Sequence, residues 1–197
     1  KQNRLNPPIQ KLKKAIEEKR FKKIFLVTTR VRWKRTQQYY DQDNWRGTKK
    51  FDGSVIANQA SHHIDLILWL NGLVKSVFAY SKKSLAKIET DDTVIAILKF
   101  KNGSLGCIEA TTAARPADLE GSISVLGEGG SVEISGFAVN KVRTWNFSKE
   151  KIEDEKIKNS NENPPNVYGF GHKKFYDNIY DTIIKKKGNH FDGKEGL

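Results

Sequence analysis

The chain has 197 residues, with 35 Lys and Arg against 23 Asp and Glu, and its net charge of +12 fits an anionic partner such as a nucleotide, a sugar phosphate, nucleic acid or a membrane surface. With 37% hydrophobic and 29% charged residues it has a globular balance, enough for one substantial core or at most two small ones. The lone Cys107 excludes an intrachain disulfide and a thiolate metal cluster, and neither a membrane-length apolar run (~20 residues) nor a signal-peptide core is present, so a reducing, cytoplasmic compartment is expected.

Asn6-Pro7-Pro8 opens a helix, because Asn caps well and Pro is tolerated in the first turn, where its missing N–H would be unpaired anyway. Ile9, Leu12 and Ile16 keep helical spacing, and the helix is predicted to end near Arg20. Ile24 to Trp33 alternates as a strand. Residues 34 to 54 have no clear period and carry Tyr39, Tyr40 and Trp45 among polar groups. A loop this long inside a compact domain points to function. Val55 to Leu70 reads as one nearly buried helix, stopped by Asn71-Gly72.

The pattern then changes to strands: Val74 to Tyr80, Asp92 to Phe100, Ser104 to Thr112, Gly121 to Leu126, Ser131 to Ile134, and Val139 to Phe147. Asn102-Gly103 and Gly127-Glu-Gly-Gly130 supply the turns of two hairpins. Residues 149 to 166 are charged, Asn-rich and broken by Pro164-Pro165, which predicts an exposed, mobile connection. Phe170 to Lys187 is a last amphipathic helix. Adjacent hairpin strands flanked by helices predict an α+β fold: a large, mostly antiparallel open sheet with helices on one face. The uncovered face would then seek a partner.

Three constellations carry chemistry. If residues 55 to 70 are helical, Asn58, His62 and Asp65 share one face at i, i+4 and i+7. That sets a carboxamide beside the side chain best suited to move protons near neutral pH. The same residues also fit a satisfied structural His with an exposed neighbour. His62 and His63 point about 100° apart and cannot serve one site simply. No i, i+4 His pair exists, so no metal is expected. The loop Tyr39-Tyr-Asp-Gln-Asp-Asn-Trp-Arg-Gly-Thr48 joins flat aromatic faces to a planar Arg46 fork suited to carboxylate or phosphate. It fits equally a surface loop packed by its own rings. Tyr168-Gly-Phe-Gly-His172 begins the last helix, where helix N-termini attract anions. The Lys residues are dispersed and no nucleic-acid motif occurs, so a nucleic-acid partner is not expected. No Gly-x-Gly-x-x-Gly, P-loop or nucleophile elbow is found.

Asp52-Gly-Ser-Val-Ile-Ala-Asn58-Gln-Ala-Ser-His62-His-Ile-Asp65 and the apolar run to Gly72 resemble the helix of the glucose–fructose oxidoreductase (Gfo/Idh/MocA) family. Lys1-Gln-Asn-Arg4-Leu-Asn-Pro7 is similar to the strand that closes that family's nucleotide-binding domain, and Asp192 to Leu197 to the segment before its final helix. Tyr39 to Thr48, Asn58-Gln59 and Tyr168 to His172 resemble the subgroup of UDP-N-acetylglucosaminuronate 3-dehydrogenases, which act in making bacterial surface sugars. The resemblance implies two domains in such enzymes, an N-terminal Rossmann domain for NAD and a C-terminal α+β domain for the sugar nucleotide and for oligomerisation. Residues 1–8 would be the end of the first domain and its linker, and residues 9–197 the second, its final helix cut short.

The chain has no Met, no Glu-Lys-Pro motif with the family's catalytic Lys, and no dinucleotide fingerprint. It reads as the second domain alone, inactive by itself. Where the family commonly has Asp it has Asn58, which cannot act as a base. The resemblance implies His62 as proton acceptor, with Asn58 orienting the substrate hydroxyl or the nicotinamide. Arg46 and Arg35 would hold the uronate or pyrophosphate, and Tyr40, Trp45, Gln59, Tyr168 and His172 would line the pocket. It also implies a homodimer or homotetramer formed through the sheet and no membrane partner. A family member used as a scaffold, or acting on another sugar, is the competing reading.

Overall fold

The computed structural model describes residues 1–158 and 171–186. A 3-10 turn, Gln2–Leu5, leads into α1 (Pro7–Glu17) and strand β1 (Ile24–Arg32). A short α2 (Gln37–Asp41) lies in the long loop, and α3 (Ser61–Asn71) follows it. Six strands come next: β2 (Val74–Lys82), β3 (Thr93–Phe100), β4 (Leu105–Thr111), β5 (Glu120–Gly127), β6 (Gly130–Ser135) and β7 (Lys141–Phe147). The described chain closes with α4 (Ile152–Lys158) and α5 (Gly171–Lys185).

The strands form one seven-stranded sheet in the order β2-β3-β4-β1-β5-β6-β7. Every neighbouring pair is antiparallel except β1 with β4, which is parallel. The parallel pair arises because β1 enters before the hairpins and is inserted between β4 and β5. Its face toward the helices is apolar, with Val27 and Val31 fully buried. Ile9 and Leu12 of α1 and Leu66 and Ile67 of α3 pack over that side, on Ile123, Val125, Val132 and Ile134. The period-2 alternation is clearest in β3, where Val94, Ala96, Leu98 and Phe100 are buried and Ile95 and Ile97 are exposed.

The opposite face is uncovered among the described residues. One row runs Phe78, Ile97, Cys107, Thr28, Ser124, Glu133 and Thr144 across the strands. It is therefore apolar over β2 to β4 and polar beyond β1. On β1 itself Arg30 pairs with Glu120 and Glu133, and Arg32 with Glu109 of β4 and Glu120 of β5.

Three segments differ from the sequence expectation. Residues 2–5 form a 3-10 turn instead of a strand, held by contacts local to the chain and by Arg4. The helix expected from Val55 begins at Ser61. Gly53 has φ +77, and the Val55 N–H donates to Asp91 O, so residues 53–60 are drawn into irregular turns. Residues 149–158 of the expected mobile connection include α4, docked by a buried ion pair. Arg20 donates to both Asp154 oxygens at 2.8 and 2.7 Å, and Trp145 Nε1–H donates to the same carboxylate at 2.7 Å. The hydrogen bond from Arg20, helped by those from the Lys151 N–H and Trp145, holds Asp154 well below the usual carboxylate range against the opposing effect of burial. No helix among the described residues is long and apolar enough to cross a membrane.

Candidate active site

His62 and His63 occupy the first turn of α3, and they face different surroundings. His63 is fully buried, edge-on to Trp33 at a ring separation of 5.6 Å, and neither ring nitrogen has a protein partner. Burial pushes its pKa down to about 3. It fills the core between α3 and Gly121 of β5. His62 is half-buried with its Nδ1 unpartnered, and burial, then the positive charge at Lys1, lowers its pKa to about 4. It is therefore a neutral imidazole at pH 7. His172, in the first turn of α5, is near enough to add a further repulsive contribution.

Asp65 does not complete a face with Asn58. Its two oxygens accept hydrogen bonds from Arg4 Nε and Nη2, each 2.8 Å. Arg4 and Lys13 both lie over the Trp69 ring, at 5.3 and 4.9 Å from its centroid. Residues 1–5 are thus locked onto the helix that carries His62. The start of α5 packs on the same turn. Gly171 lies so close to the Gln2 carbonyl that a side chain there would collide with backbone.

Asn58 lies outside the helix. Its backbone N–H donates to Ser54 O at 3.0 Å, and its carboxamide Nδ2 donates to Asp52 Oδ1. The other oxygen of Asp52, a buried residue, accepts the Gly47 N–H at 2.5 Å. Gly47, at φ +71, sits against Ile88, and a Cβ there would meet Ile88 at 2.5 Å. Only glycine fits that turn, which places Arg46 next to the Asn58 segment.

The loop itself forms a cation–aromatic stack. The Arg46 guanidinium lies 4.3 Å from the Tyr39 ring centroid and 4.8 Å from that of Trp45, and Arg35 lies 5.2 Å from Tyr39. Arg46 also pairs with Asp43 at 2.7 Å, and Arg35 with Asp118 at 3.4 Å. Trp45 is exposed. Tyr40 is buried and its hydroxyl meets Thr112 Oγ1 at 2.8 Å, with burial raising its pKa. Tyr40, Arg46, Lys83 and Lys87 border an open cavity of about 570 Å³.

Gln59, expected to line the pocket, is instead a core residue at 5% exposure with an unpartnered Nε2. The irregular turn before α3 points it inward, which a helical reading of residues 55–60 does not anticipate. Tyr168 lies outside the described residues. Two residues of this region escaped the sequence reading. Asp52 opens the stretch that resembles the family helix, but the resemblance assigns it no role, and Thr112 is a strand-end hydroxyl that only the fold brings to Tyr40.

The family description GFO/IDH/MocA C-terminal domain matches residues 9–133. None of the curated proteins matches the chain. Among solved structures, the WlbA dehydrogenase from Bordetella pertussis, in complex with NADH and UDP-GlcNAcA, is 41% identical. It superposes with a TM-score of 0.89, covering 98% of this chain and 55% of its own. The WlbA dehydrogenase from Chromobacterium violaceum, with the same two ligands, is 45% identical at a TM-score of 0.90, covering 99% and 55%. A levoglucosan dehydrogenase in complex with NADH shares the fold at 19% identity and a TM-score of 0.76. The chain thus spans 55% of the length of the WlbA enzymes.

Proposed function

The chain belongs to the GFO/IDH/MocA family as a C-terminal domain, and we propose that it is the substrate-binding and oligomerisation part of an NAD-dependent dehydrogenase that oxidises C3 of UDP-GlcNAcA or a close relative. The observation that carries this reading is the 41–45% identity to two WlbA dehydrogenases over 98–99% of the chain. A role in making bacterial surface polysaccharide, in the cytoplasm, follows from that reading.

The residues fit the reactive end of a dinucleotide. His62 supplies a neutral imidazole, and Asn58, four residues earlier, an anchored carboxamide. The pyrophosphate cradle of a glycine-rich turn does not occur in the sequence, so NAD would be held mainly by another domain. When bound, NAD accepts the hydride from C3. His62 takes the C3 hydroxyl proton as the C–O bond becomes C=O, and Asn58 receives a hydrogen bond that orients the hydroxyl or the nicotinamide amide. Arg46 and Arg35 supply positive charge for uronate or pyrophosphate, Tyr39 and Trp45 stack those guanidinium planes, and Tyr40 and His172 are assigned to the border of the pocket.

NADH formation by the intact protein tests the reading. UDP-GlcNAcA should be turned over, and UDP-N-acetylglucosamine, which lacks the carboxylate, at least about 10²-fold less efficiently in kcat/KM, because a site built for a charged group is left unpaired without it. Equal turnover of both, or of neither, would sink the assignment.

A further inference from the structure

Asp52 is a buried carboxylate, 8% exposed, and both of its oxygens are spoken for. Oδ1 receives Asn58 Nδ2 and Oδ2 receives the Gly47 backbone N–H. The Asp52 N–H in turn donates to Thr48 O, and the Gly47 carbonyl accepts from the backbone of Glu89 and Thr90 at 3.0 and 3.2 Å. An ionised carboxylate only accepts, so the Asn58 atom facing it must be the nitrogen. A planar amide with its nitrogen fixed has its oxygen fixed too. Among the described residues no donor meets Asn58 Oδ1.

We propose that Asp52 is a positioning residue that locks the Asn58 carboxamide with its nitrogen inward and its oxygen presented as an acceptor, and that ties this orientation to the turn carrying Arg46. The proposal rests on the dehydrogenase reading for what the acceptor meets, a hydroxyl or amide N–H of the reacting pair. The same carboxylate bridges two parts of the site that are eleven residues apart in sequence: the Asn58 acceptor and the turn at Gly47 that carries the cation–aromatic stack. Loss of the bridge would let the amide rotate and the Arg46 turn relax together.

Asn58→Asp tests it without changing size. Two carboxylates then face each other within hydrogen-bond distance, and like charges that close share one proton with a raised apparent pKa. Tyr40 is the other titratable group that feels Asp52, together with Asp92 nearby, and its phenol stays protonated across the range. Below the raised pKa the shared proton mimics the lost Nδ2–H, and above it the pair repels. In the intact protein, kcat/KM of Asn58→Asp should fall at least about 10-fold as pH rises from about 5 to about 8, beyond any fall in wild type. Stability to denaturant should fall through the same interval.

The double variant Asp52→Asn/Asn58→Asp exchanges the partners. The new amide nitrogen donates to the new carboxylate, the new amide oxygen accepts the Gly47 N–H, and both pH limbs should vanish. Parallel pH profiles of Asn58→Asp and wild type in kcat/KM, or a limb that survives in the double variant, would overturn the positioning role. Absence of turnover in wild type would instead sink the dehydrogenase reading. The stability limb needs no turnover, and its absence would overturn the Asp52 pairing by itself.

Discussion

Arg4 grips Asp65 through two parallel hydrogen bonds of 2.8 Å, joining the first residues of the chain to the helix that carries His62. Both side chains are nearly buried, 8% and 12% exposed. Desolvation makes such a pair modest in net worth but costly to break singly. Asp65→Leu alone should cost about 3–5 kcal/mol in denaturant unfolding, because the buried Arg4 guanidinium loses its bidentate carboxylate. The double variant Arg4→Met/Asp65→Leu should recover more than half of that. A double variant less stable than the single would show that the pair itself, and not the orphaned charge, holds the turn.

His63 contributes shape to the core and cannot satisfy its ring nitrogens there. His63→Phe keeps the edge-on contact to Trp33 and removes a buried polar group without partners, so it should raise stability by about 1–3 kcal/mol at pH 7. It should also change the acid response. The folded pKa lies near 3 against 6.5 in the unfolded chain, so the unfolded state binds the extra proton. The stability linked to this group is complete above about pH 6.5 and falls by about 1.4 kcal/mol per pH unit as pH drops toward the folded value. His62 adds a similar loss down to about 4. Denaturant midpoints measured across this range should slope less in His63→Phe. An unchanged slope would place a partner on the imidazole.

The uncovered face of the sheet has an apolar half. Phe78 is 60% exposed, Tyr80 75%, Ile95 53%, Ile97 55% and Leu105 51%, on adjoining strands. A patch of this kind marks a contact surface. Light scattering should find the intact protein as a dimer or tetramer at micromolar concentration, and Phe78→Asp/Ile97→Asp should weaken association at least about 10-fold by burying two carboxylates. A wild-type monomer would remove the sheet as the interface.

Strand alternation and the Asn-Gly and Gly-rich turns made the sheet legible from the sequence nearly to the residue, because burial on one face imposes period two. The helices were legible where one apolar stripe meets one core, as in α1. They were misjudged where local hydrogen bonds compete. Val55 and Ile56 look helical, but Gly53 and the reach of Val55 to Asp91 O break the run, and that moves Asn58 off the His62 face and turns Gln59 into the core. The charged composition of residues 149–158 suggested solvent, and a single buried Arg20–Asp154 pair made it helix instead. Long-range partners such as Asp65 with Arg4, or Tyr40 with Thr112, have no signature in spacing.

The proposed chemistry depends most directly on His62. Steady-state kinetics of the intact protein with NAD and UDP-GlcNAcA, for wild type, His62→Ala and Arg46→Ala, separate a proton acceptor from a substrate clamp. His62→Ala should lower kcat by about 10²–10⁴ with KM little changed, while Arg46→Ala should chiefly raise KM. A His62→Ala enzyme with near-normal kcat would contradict the assignment and move the proton to a group outside this chain.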